Sequence, residues 1–437
     1  MRHVDSGAQS SVKRRRARRP RPLARAAFAL TGLAFASLSP AADGLRAHVG
    51  EAIFKARWKP APNVSEGVDG LGPLYNAASC FACHGDRSGE KVALVLRLSD
   101  PVYGRQIQDR AVPGIDAEGR LVVTYDTLVR VLGDGRAVEL RKPHPVVADA
   151  AYGPLPANAS TSLRRPPPLA GMGYIAMIAE SDIRAGADPD DRDGDGISGR
   201  AGEAADPASG QTVLARFGWK ASVATLAQQT SEALSVDMGL SSAALPTPAG
   251  DCTAAQPKCL SAPHGDTPGS GGAEVSGEEI ALLVAYLESL PPPIPLAAAE
   301  ASEEREDGRV IFGALGCAGC HRPAFQAGPG GDAESVRREV RLHSDLLLHD
   351  MGEGLADNRP EGSASGREWR TQPLWGLSER IKEIDVGVIA GLLHDGRART
   401  IEEAILWHGG EAERTVNGFA QLTAHDRAAL LAYLSGL

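Results

Sequence analysis

Two short segments of this 437-residue chain carry residue types and spacings suited to one chemistry. They are Cys80-Phe81-Ala82-Cys83-His84 and Cys317-Ala318-Gly319-Cys320-His321. Two cysteines three apart, with His directly after, supply two thiols and an imidazole from about one helical turn. The thiols can add to the vinyl groups of a haem, and the imidazole can ligate its iron. The spacing predicts two covalently bound c-type haems. Cys80, Cys83, Cys317 and Cys320 would be the attachment points, and His84 and His321 the proximal ligands. Two other readings use the same residues. Paired CxxC motifs can build a four-thiolate zinc site, but structural zinc pairs usually lie closer than the 237 residues that separate these. A redox dithiol would have no need of the following His.

The remaining cysteines, Cys252 and Cys259, flank the short loop CTAAQPKC and read as a local disulfide in an exported protein. A second cluster is Asp188-Pro-Asp190-Asp191-Arg-Asp193-Gly-Asp195-Gly196-Ile197. Asp191, Asp193 and Asp195 match positions 1, 3 and 5 of a calcium loop, Gly196 position 6, and the carbonyl of Ile197 position 7. Position 12 is Gly202 rather than Glu, so the loop departs from an EF-hand. The competing reading is a merely acidic surface loop.

What must position these groups begins after a leader. Residues 1–42 combine the basic run Lys13, Arg14, Arg15, Arg16, Arg18, Arg19 with the apolar run Ala26 to Leu38 and small residues at Ala41-Ala42. This is the pattern of a signal peptide, with an uncleaved anchor as the alternative. Export to the periplasm is the expectation, with no spanning segment in the mature chain. Residues 1–42 hold nine Lys/Arg and one acid, so removing them takes the formal charge from −9 to −17. Such an acidic body excludes nucleic acid as a partner. It suits a small electron donor such as a basic cytochrome or a cupredoxin, although plain solubility would explain the charge equally well.

An internal repeat organises the rest. The segment from Ser276 to Leu290 can be laid over that from Thr423 to Leu437, with Leu283/Leu430, Tyr286/Tyr433 and Leu287/Leu434 at matching helical positions. Each begins with a capping-box pattern, Ser276 with Glu279 and Thr423 with Asp426. Each haem motif is thus followed by the same closing helix. Pro291-Pro-Pro-Ile-Pro295 marks a linker. The divisions expected are 1–42 as leader, 43–290 and 301–437 as two domains, and 291–300 as linker.

Several further segments join the two motifs in a resemblance: Asp69 to Cys80, Tyr152-Gly-Pro-Leu155, Asp188 to Arg200, Arg216 to Ala221, Asp237-Met-Gly239, Ser344 to Gly352 and Leu393 to His408. Together they resemble the bacterial di-haem cytochrome c peroxidase superfamily, which includes the di-haem maturase of methylamine dehydrogenase. The branch most similar is that of the di-haem oxidoreductases, also called thiol oxidoreductases. The resemblance implies a mainly α fold of two cytochrome c-like helical domains, the first with a long loop-rich insertion. It implies a peroxidatic amino-terminal haem and an electron-transfer carboxy-terminal haem. The substrate would be peroxide, alone or as oxidant of a donor or protein substrate. The alternative is a non-enzymatic di-haem electron carrier.

The resemblance also bears on the far side of each iron. Relatives place a Met or Tyr ligand for the second haem where this chain has His408. His408 is therefore the expected sixth ligand, with Met351 competing and His394 bracing the haem or its propionates. For the first haem, the family uses a Glu where this chain has Ala176, and Glu180 remains four residues on as the catalytic candidate. Met172, Met177 and His144 are candidate leaving ligands. Trp219 and Tyr152 are candidates for an aromatic between the haems.

Overall fold

Gly50 and Gly308 mark the two places where the repeat becomes three-dimensional. A helix over Pro40–Lys55 precedes the first haem motif and one over Glu303–Ala314 precedes the second. Each packs against a closing helix, Gly277–Ser289 or Ala424–Leu434. A Cβ on Gly50 would lie 1.9 Å from the Leu282 carbonyl oxygen, and one on Gly308 would lie 2.0 Å from that of Ala429. Leu282 and Ala429 occupy equivalent positions in the repeat. Only glycine lets the two backbones approach this closely. Ser276 and Thr423 cap the closing helices as expected, each accepting from the backbone N–H three residues on.

This computed structural model describes residues 40–62, 68–85, 94–207, 209–265, 272–293, 302–328, 337–387 and 389–437. The leader assigned to 1–42 falls almost wholly outside them, as does most of the linker at 291–300. Among the described residues, no helix is long and apolar enough to cross a membrane.

The expectation of a mainly α fold is not met: the structure is 33% helix and 21% strand, with several small sheets. The segment read as a loop-rich insertion carries much of the strand. Arg120–Val131 and Ala137–Ala148 pair antiparallel over 12 residues each. The physical reason is local. Val122, Val123, Thr124, Thr127, Val129 and Val131 favour the extended backbone, and Gly133-Asp134-Gly135 supplies the reversal, with Gly135 at φ +84. Smaller sheets join Val95–Asp100 with Gly104–Gln106 and Ser162–Arg164, and Gly202–Ala205 with Thr212–Ala215.

Residues Pro40–Leu437 cluster as one unit. Its two main apolar cores each draw residues from both halves of the sequence. The core beside Cys80 and Phe81 takes in Leu342, Leu346, Leu347 and Trp375 from the second half. The core beside Cys317 takes in Leu132, Val138, Leu140 and Trp219 from the first. The long ribbon is the main intruder. Arg136 pairs with Glu402, Arg130 donates to the carbonyl of Leu406 at 3.4 Å, and Arg399 donates to the carbonyl of Glu139 at 3.0 Å. The ribbon thereby backs the helix Ile401–Trp407, which leads directly to His408.

Candidate functional site

The first motif forms a five-residue helix, Cys80–His84, capped by Ser79, whose hydroxyl accepts from the Ala82 N–H at 3.2 Å. The second is a short 3-10 turn, Cys317–Gly319, entered through Gly316 at φ +85. The four thiols are not in disulfides. Cys80 packs against one core and Cys317 against the other, which separates the pairs that a shared zinc site would need together. Burial pushes the Cys80 and Cys83 thiols up to about 12 and Cys317 to about 11.

Three imidazoles are held the same way. Nδ1 of His84 lies 3.2 Å from the Pro167 carbonyl oxygen, Nδ1 of His321 3.0 Å from that of His343, and Nδ1 of His408 2.7 Å from that of Ala404. A carbonyl only accepts, so each Nδ1 carries the proton. In the neutral ring Nε2 then keeps its lone pair free for a metal. Burial pushes His84 and His321 down to about 4 and lowers His408, so each ring is neutral near pH 7. His84 keeps an exposed face, so solvent offsets part of that depression, and the Pro167 carbonyl rather than burial fixes its tautomer.

A cavity opens beside the second motif. Cys317, Cys320 and His321 lie on its wall with His408, and apolar side chains such as Phe312, Leu355, Leu392, Ile401 and Phe419 line it. The ring centres of His321 and His408 are 6.4 Å apart. Metal–imidazole bonds of about 2.0 Å put ring centres on opposite sides of one iron roughly 6.3 Å apart. Residues and spacing therefore fit a haem here. Met351 also lines the cavity.

Sequence reasoning missed the polar group beside Cys320. His349 is buried, with Nε2 2.8 Å from Asp345 Oδ2 and Nδ1 2.7 Å from Glu411 Oε2. Carboxylates accept on both sides, so this ring is an imidazolium. Burial alone would lower its pKa, but hydrogen bonds to Asp345, Cys320 and Glu411 carry it well above its ordinary value. Burial likewise tends to raise Glu411, and His349 outweighs it and lowers the carboxyl. No motif marks this trio, because Glu411 lies 62 residues from His349.

Glu411 also receives the acidic loop. It accepts from the Ser198 N–H at 2.9 Å, and Gly319 of the haem motif sits where a Cβ would be 2.5 Å from Ile197. In that loop the carboxylates of Asp191, Asp193 and Asp195 converge within 4.8 Å of one another. Cys252 and Cys259 form the expected disulfide, with Cα atoms 6.0 Å apart.

Other candidates are dispersed. His394 lines the cavity and stacks on Trp369 at 3.7 Å. Trp219 lines it too, but Tyr152 packs edge-on against Tyr103 in a separate small core. Trp375, not singled out from the sequence, both lines the cavity and belongs to the core beside Cys80. His144 lies on the ribbon, 2.6 Å from Asp126. Met172 is half-buried against the first core, while Met177 and Glu180 are exposed. Glu180 opens the short helix Glu180–Arg184, and no hydrogen bond among the described residues joins it to His84.

A family model described as "Di-haem oxidoreductase, putative peroxidase" matches residues 116–437. The chain belongs to the di-haem oxidoreductase family. In this di-haem oxidoreductase the match begins beyond the first motif and contains the second. No curated protein matches the sequence significantly. Similar solved structures include the hydrazine synthase of Kuenenia stuttgartiensis, at 21% identity over 38% of this chain and 57% of that one, TM-score 0.24. A MauG-like protein associated with microbial copper homeostasis matches at 17% identity over 67% of this chain and 78% of that one, TM-score 0.32. The di-haem oxidoreductase thus spans little more than half of the hydrazine synthase chain. Neither score is high enough to bear on the fold.

Proposed function

We propose that this chain is an exported, periplasmic di-haem peroxidase with two covalent c-type haems in unequal roles. The observation that carries the reading is the contrast between the two proximal imidazoles. His321 faces a second Nδ1-anchored imidazole, His408, at 6.4 Å across the cavity. Among the described residues, the ring paired with His84 is that of Phe54, with centres 6.4 Å apart, and a phenyl ring cannot ligate iron. A His/His haem is saturated and suited to storing an electron; a haem with one imidazole leaves a position for peroxide.

Reducing hydrogen peroxide to two waters takes two electrons and two protons. Haems held by His84 and by His321 with His408 would supply the electrons, drawn from a small basic cytochrome or a cupredoxin. The protein must move a proton from the inner to the outer peroxide oxygen. Glu180 is the proposed group, reachable from solvent and the next carboxylate after Ala176. Trp375, shared by the cavity and the first core, is placed to couple the two sites. Calcium in the Asp191, Asp193, Asp195 and Ile197 loop would neutralise the convergent carboxylates beside the second motif.

The test is electron paramagnetic resonance of the purified full-length protein with a pyridine assay for c-type haem. The reading expects one low-spin and one high-spin or ligand-exchanging ferric haem, and peroxide turnover after one-electron reduction. Glu180→Gln should lower that turnover by about 10²-fold or more. Two persistently low-spin haems inert to peroxide would make the protein an electron carrier instead.

A further inference from the structure

We propose that Arg165, Arg370 and Gln372 form the anion-holding wall of the cavity and grip the propionate carboxylates of the haem tethered at Cys317 and Cys320. This rests on the reading that a haem is bound there, and it assigns the residues that orient it.

Arg165 and Arg370 are 7% and 4% exposed, and both line the cavity. Buried guanidinium groups are normally matched by a carboxylate, because an uncompensated charge in an apolar site is costly. Neither has a carboxylate within ion-pair reach among the described residues. Arg165 donates through Nε to the carbonyl of Leu393 at 2.7 Å and lies over the ring of Trp219 at 5.2 Å. Its terminal nitrogens have no protein acceptor among the described residues. Arg370 donates to the carbonyls of Gly218 at 3.0 Å and Thr371 at 3.4 Å, and to Oε1 of Gln372 at 2.9 Å. A guanidinium only donates, so the Gln372 oxygen must face it, and the Gln372 amide nitrogen is the free end. That Nε2 is buried without a partner among the described residues, on a residue lining the same cavity. Burial lowers Arg165 to about 9 and Arg370 to about 10, which leaves both charged at neutral pH.

The cavity therefore holds two cations with no carboxylate in ion-pair contact, Arg165 feeling Glu383 and Asp395 and Arg370 feeling Asp345 only at longer range, and one unpartnered donor, in a largely apolar lining. A haem brings two carboxylates at one edge and an apolar body. The charges and the apolar lining both match. Arg165 is also two residues from Pro167, whose carbonyl holds His84. The strap that grips one haem thus positions the proximal ligand of the other.

The test is a spectroelectrochemical titration of the second haem in the full-length haem-loaded protein, from about pH 5 to 8. Wild type should show a nearly pH-independent potential, because a clamped propionate stays ionised. Arg165→Gln and Arg370→Gln should each lower the potential, since the freed carboxylate charge then stabilises ferric iron. A shift of about tenfold in the equilibrium with a one-electron mediator, ~59 mV, is expected. Each Gln variant should also gain a pH slope, and Arg370→Lys should restore most of the wild-type behaviour. A purely structural arginine would change stability but not that slope. Unchanged potentials and flat profiles in both Gln variants would overturn the proposal. So would a steep pH slope in wild type, which needs no variant to fold, or a wild-type potential that moves with added phosphate or acetate. Absence of c-type haem in the pyridine assay would instead sink the underlying haem reading.

Discussion

His321 and His408 face one another across the cavity with ring centres 6.4 Å apart, each with its Nδ1 tied to a backbone carbonyl. The tie to Ala404 is intrahelical, so the orientation of His408 is set by the last turn of Ile401–Trp407 and by the ribbon that backs it. His408→Ala should convert the second haem from low to high spin. His408→Met should keep it low-spin and raise its potential. Absorption and paramagnetic resonance spectra read both, and spectra unchanged in the Ala variant would refute the assignment.

His349 joins two carboxylates in a buried site, so its loss leaves both without a counter-charge. His349→Gln should cost roughly 3–5 kcal/mol. The pH dependence follows from the signs. A His raised above 6.5 contributes fully below that value and loses its contribution as pH rises through the raised one. Glu411, lowered from 4.5, contributes above that value and loses it as pH falls. The gap between wild type and variant should be widest between 4.5 and 6.5 and should shrink in alkaline solution. Denaturant unfolding at both ends measures it, and an equal gap throughout would contradict the ion-pair account.

The Cys252–Cys259 bridge closes a short loop, and chain entropy gives such a loop about 2–3 kcal/mol. Cys252→Ser should lose that amount in thermal unfolding. Dithiothreitol should then lower the melting temperature of wild type but not of the variant. Asp251, next in the chain, pairs with Arg105 at 2.8 Å, so local opening should reach that contact. A variant as stable as wild type would show that the rest of the fold already fixes the loop.

The acidic loop reaches the second motif through Ile197 and Ser198. If calcium occupies it, chelator treatment should perturb the spectrum of the second haem, and calcium should restore it while magnesium does not. Asp193→Asn should weaken calcium binding in equilibrium dialysis. Dialysis showing no bound calcium in wild type would leave the loop as acidic surface.

The two CxxCH motifs, the Cys252–Cys259 disulfide and the repeat are legible in the sequence because each is a short pattern with a local physical cause. Two cysteines, a His and one helical turn suffice for a haem anchor, and Ser276 or Thr423 suffices to start a closing helix. The strand content does not follow from a resemblance to helical domains, although the β-branched run from Val122 to Val131 carries a local signal for it. The His349 trio, the unmatched Arg165 and Arg370, and the sharing of Trp375 and Leu140 between halves had no such signal. These depend on contacts between residues 62 to more than two hundred positions apart, as for His349 with Glu411 and Arg165 with Leu393. The sequence alone determined which residues lie at haem-anchoring spacing; only the tertiary structure decided which charges lack an ion-pair partner in the cavity beside the second motif, because burial and pairing are properties of the packed chain.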